Sequence, residues 1–116
     1  MTDISGIRAE LDEQFTRFFT PLQTTRAVDR IALEAFYDTA QRLPALLKGT
    51  DVVSKPLLRT LYVAMSILRA EAPYTKNDSC FLEEMADKIQ MIFDLIIYDD
   101  SLEGWKPGIP RVQYPQ

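Results

Sequence analysis

The chain has 116 residues, 47% of them hydrophobic and 26% charged, which is one domain's worth of apolar material and argues against both a disordered body and a separate catalytic module. Its net charge of −4 is uneven: residues 1–70 hold eight acids and nine bases, whereas residues 71–103 hold nine acids against Lys76 and Lys88 alone. Such an anionic segment repels phosphate backbones and attracts cationic surfaces, which argues against nucleic acid as the partner of the C-terminal third and suits a basic protein, solubility alone being the competing use of the charge.

The opening residues Met1, Thr2, Asp3, Ile4 and Ser5 combine neither a basic region nor an apolar run, so no secretory leader is expected. Ile4, Ile7, Leu11, Phe15, Phe18 and Leu22 then recur at steps of three and four. This spacing lines one helix face and predicts a first helix over about residues 3–19, closed by Pro21. Thr24 or Thr25 is placed to cap a second helix, in which Val28, Ile31, Ala32, Ala35, Phe36, Ala40 and Leu43 keep the period to about Arg42. Leu43 precedes Pro44, which disfavours helical backbone, so residues 45–48 add at most one turn before Gly49 and a loop over residues 49–53.

Ser54, Lys55 and Pro56 read as a helix start, and Leu57, Leu58, Leu61, Ala64, Met65, Leu68 and Ala72 hold the stripe until Pro73. The polar run from Tyr74 to Asp78 is a turn. A last helix takes Asp78 or Ser79 as its cap, with Glu83 and Glu84 near the positive end of its dipole, and Leu82, Met85, Ala86, Ile89, Ile92, Phe93 and Ile96 as its apolar face. Met91 to Tyr98 is apolar nearly all round, which favours the centre of the bundle, the alternative being a face packed on another molecule. Broken by Asp94, that stretch is far short of the roughly 20 residues that cross a bilayer. Beyond Ser101, three prolines and two glycines forbid a helix and leave an extended tail.

The prediction is an all-α, four-helix antiparallel bundle over residues 1–100 with an extended Pro-rich C-terminal tail over residues 101–116, packed on the bundle or projecting from it. Val52, Val53 and the tail are the only strand-like pieces and supply no sheet.

No histidine is present, which removes the commonest general base and the usual zinc ligand. Glycines at positions 6, 49, 104 and 108 form no phosphate loop. Cys80, the single cysteine, forms no internal disulfide, suits a reducing cytoplasm, and with no imidazole to activate it reads as a buried or incidental thiol. No catalytic residue, cofactor or metal is expected on these grounds. One acidic layout qualifies that expectation. Glu83, Glu84 and Asp87 share a helical spacing, and Asp99, Asp100 and Glu103 follow about twelve residues later. The arrangement resembles the magnesium-binding acids of all-α nucleotide pyrophosphohydrolases, which would imply hydrolysis of nucleoside triphosphates on carboxylate-held magnesium. The acid types and their order depart from that family's pattern, and the second group falls where the helix is ending. A solvated face and a helix terminus account for the two clusters without a metal.

The candidate partner-binding residues are Tyr98, Asp99, Asp100, Glu103 and Trp105, since aromatic rings beside unpaired acids suit a basic protein surface. Trp105 and Tyr114 have a competing use in pinning the tail onto its own bundle. Pro107, Gly108, Ile109 and Pro110 match a proline-x-x-proline pattern that arises often by chance. Arg8, Arg17, Arg26, Arg30 and Arg42 read as ordinary solvated positions. The functional expectation is a non-catalytic protein-binding module, neither nucleic-acid-binding nor membrane-bound, acting as a monomer or homodimer. In general look it is similar to the small acidic immunity proteins that neutralise a bacterial toxin by masking a basic surface, an analogy of class without a shared motif. A secretion chaperone or adaptor fits the same facts. So does a homodimeric regulatory or structural bundle whose last helix buries Ile92, Ile96 and Ile97 between subunits.

Overall fold

The computed structural model describes residues 4–98. Four long helices form there, α1 (Ile4–Thr25), α2 (Arg30–Ala40), α4 (Lys55–Glu71) and α5 (Ser79–Ile97), together with the single-turn α3 (Leu43–Leu47) and a 3-10 turn over Ala72–Tyr74. No strand occurs among the described residues, and the chain is the all-α bundle its periodicity predicts. The expected tail over residues 101–116 lies outside the described residues.

Contacts between helices set their directions. Glu10 meets Arg42 at 3.0 Å and Phe18 meets Phe36 with ring centroids 5.4 Å apart, so α1 and α2 run antiparallel. Arg69 meets Asp87 at 3.0 Å while Leu58 shares a cleft with Ile96, so α4 and α5 do the same. Between the two hairpins the pairs run in the same direction: Asp12 reaches Thr60 and Gln23 reaches Glu71 across α1 and α4, and Arg30 reaches Asp78 across α2 and α5. That arrangement carries the chain beneath the bundle between α2 and α4. α3 makes the crossing and packs on α5, with Leu43, Pro44 and Leu47 buried. Gly49 ends it at φ +83°, backbone that glycine enters without steric cost.

Apolar faces close a single core. Phe18 and Phe36 meet edge to face at its centre with Phe15 against both, the geometry that aromatic quadrupoles favour. Leu82, Met85, Ala86, Ile89, Ile92, Leu95 and Ile96 of α5 are all buried, and α5 packs against α4, α2, α3 and the 3-10 turn. Its other side stays open, with Glu83, Glu84, Asp87, Lys88, Ile97 and Tyr98 exposed, so the apolar run from Met91 to Tyr98 is not enclosed on all sides as a central helix would be.

Several local expectations change. α1 does not stop before Pro21 but continues through it to Thr25, because Leu22 extends the buried stripe and is 1% exposed. Burying a leucine contributes about 1.5–3 kcal/mol, comparable to the roughly 3 kcal/mol that an interior proline costs. Thr24 and Thr25 do not cap α2. Their hydroxyls donate to the carbonyls of Thr20 at 2.8 Å and Pro21 at 2.9 Å, and the Asp29 carboxylate caps α2 instead, accepting from the Ala32 amide at 3.0 Å. α1 ends on Arg26 at φ +56°, a left-handed residue whose amide donates to the Leu22 carbonyl. Ile31, expected on the buried stripe, is 83% exposed, and Leu33 takes its place in the core. Within the turn expected from Tyr74 to Asp78, Thr75 is buried, its hydroxyl donating to the Ala72 carbonyl at 3.0 Å.

Candidate functional site

Of the five residues predicted to meet a partner, the structure describes Tyr98, which follows α5 directly and is exposed. Asp99, Asp100, Glu103 and Trp105 lie outside the described residues. Tyr98 adjoins Ile97 beside a cleft at one end of the bundle, lined by Thr50, Asp51, Val53, Leu58, Ile96 and Ile97. Ile92 and Ile96 are already buried in the chain's own core, so Ile97 alone of the three proposed dimer-core isoleucines faces outward.

The described acids separate by helix and by partner. On α5, Asp87 pairs with Arg69, which also donates to Gln90, and Glu84 takes Lys88 at 3.5 Å. At the head of α5, Asp78 occupies the capping position but makes no side-chain cap bond. Its carboxylate instead takes two hydrogen bonds from Arg30, at 2.9 and 2.6 Å, while the Arg30 guanidinium stacks 4.3 Å from the Phe81 ring centre. Arg17, Arg26, Arg30 and Arg42 thus all have acidic partners, and three of them join elements distant in sequence, a role their scatter along the sequence concealed.

Glu34 and Asp38 on α2 have no such partners: neither side chain makes a hydrogen bond or ion pair with another described residue. They face a groove of about 270 Å³ between α2 and α5, completed by Tyr37, Phe81, Glu84, Met85 and Lys88. The groove therefore presents three carboxylates and one ammonium around two aromatic rings. The Lys88 ammonium lies 5.4 Å from the Tyr37 ring centre, bringing a cation to an aromatic face inside the groove itself. Reading the sequence for its C-terminal acids passed over this pair. The sequence concealed it: Arg30 stands four residues before Glu34 and Arg42 four after Asp38, spacing that suggests helix ion pairs, but in the fold those arginines pair with Asp78 and Glu10 instead.

Among the described residues no three His, Cys, Asp or Glu side chains converge as a metal site. Cys80 is exposed in the first turn of α5. No helix among the described residues is long and apolar enough to cross a membrane. Compared with known proteins, the sequence matches no family model, no curated protein and no solved structure.

Proposed function

We propose that the protein is a non-catalytic binding module of the cytoplasm that engages a basic protein partner through an acidic surface, in the manner of an immunity protein that neutralises a toxin by covering its cationic face. The observation that carries this reading is the placement of charge: a rigid bundle directs Glu34, Asp38 and Glu84 into one open groove where a single lysine opposes them. Charges held in fixed positions steer and orient a complementary surface without a reaction to perform. The same logic extends to Tyr98, Asp99, Asp100, Glu103 and Trp105, whose composition suits a second point of contact.

The test is affinity capture from the native cell at low ionic strength, followed by identification of the retained protein. A basic protein whose own activity falls when this chain is added supports the reading. Retention of acidic or neutral proteins alone contradicts it. For the verified partner, Asp99→Lys combined with Asp100→Lys lowers affinity, and lowers it most at low salt, while the circular dichroism stays helical. The reading also predicts that pure protein with magnesium releases no pyrophosphate from nucleoside triphosphates. Release that disappears in Glu84→Gln would establish an enzyme.

A further inference from the structure

We propose that the outward edge of α2, with the groove it shares with α5, is the docking surface for a basic amphipathic segment of a protein partner. An arginine or lysine of that segment sits among Glu34, Asp38 and Glu84, and an apolar neighbour covers Ile31. The proposal rests on the binding reading above and states where that binding occurs.

Ile31, Glu34 and Asp38 stand at steps of three and four, so one stripe of α2 carries them all. A single exposed isoleucine is ordinary. Ile31, however, is 83% exposed one turn before two carboxylates with no counter-ion, in a helix whose other face is fully committed to the core through Ala32, Leu33, Phe36, Thr39 and Ala40. The stripe therefore offers aliphatic contact and negative charge side by side.

The groove beside it already holds a cation, and holds it loosely. Lys88 lies 3.5 Å from Glu84 and 5.4 Å from the Tyr37 ring centre, leaving Glu34 and Asp38 unneutralised. A guanidinium entering from a partner meets the same aromatic face and the two free carboxylates together, and its planar fork can donate to both. An inorganic cation is disfavoured, since the acids come from two helices and do not converge as ligands. Ile31 in turn favours an amphipathic peptide over a free polyamine, which has no apolar side chain to place there.

The experiment uses the full chain, isotopically labelled, titrated at low salt with a synthetic amphipathic helical peptide whose charged residues are all arginine; a control peptide carries glutamate instead. Arginine peptide binding should move the amide resonances of Ile31, Glu34, Tyr37, Asp38 and Glu84. Glu34→Gln with Asp38→Asn should weaken it at least about fivefold with the helical spectrum unchanged, because removing two repelling charges does not endanger the fold. Lys88→Met, which removes the resident cation, should tighten it about two- to threefold. Unchanged affinity in Glu34→Gln with Asp38→Asn, or shifts confined to residues 98–105, overturns the groove as the site while leaving the binding module intact. No arginine-peptide binding by the wild-type chain at low salt overturns both.

Discussion

At Thr24, Thr25, Asp29 and Asp78, side chains of similar capping ability have different hydrogen bonds to choose from. The threonine hydroxyls turn back to carbonyls four residues earlier in α1, Asp29 caps α2, and Asp78 gives its carboxylate to Arg30 rather than to the amides at the head of α5. These alternatives lie close in free energy, so the sequence identifies the candidates but not the winner. Asp29→Ala should lower the unfolding free energy by about 1 kcal/mol, read as a shift of the urea midpoint without a change of slope. An unshifted midpoint would mean that water serves the α2 amides equally well. The acids of the groove were less legible: Arg30 and Arg42 stand at ion-pair spacing from Glu34 and Asp38, and the meeting of these acids with Phe81 and Glu84 depends on how α2 sits against α5.

Helix by helix, the period of three and four located every long element, because Ile7, Leu11, Phe18 and Leu22, like Leu57, Leu61, Met65 and Leu68, are buried in the folded chain. Boundaries failed where a local rule opposed that stripe. Pro21 is the clearest case, a helix-breaking residue overruled by the burial of the leucine after it. Restoring the amide at this position should therefore strengthen α1. Pro21→Ala is expected to raise stability by about 1 kcal/mol or more, and a loss of stability would show that the proline shapes the exit toward Arg26. α2 failed differently: Ala32, Phe36, Ala40 and Leu43 of the expected stripe are buried, but at its edge Ile31 was assigned to the core and is exposed, and Leu33 was passed over and is buried. Short helices give the period few turns over which to declare itself, and α2 has 11 residues.

For the molecule as a whole, the pairing of α1 with α2 and of α4 with α5 was legible from their short connections, whereas the apolar run that ends α5 suggested an enclosed helix and Ile97 and Tyr98 in fact stay exposed. The parallel packing of α1 beside α4 and of α2 beside α5 was not legible, since it depends on α3 carrying the chain across one end of the bundle. That packing matters to function, because it brings Glu34 and Asp38 of one hairpin up against Glu84 of the other and makes the acidic groove a property of the assembled fold. If recognition of a cationic surface is what this protein does, its affinity for a verified partner must depend steeply on ionic strength. The decisive measurement is the dissociation constant of that complex by titration calorimetry across a salt series. The predicted result is a weakening of at least about tenfold between 0.05 and 0.5 M salt, reduced when Glu34 and Asp38 are replaced by their amides. An affinity independent of salt would contradict it.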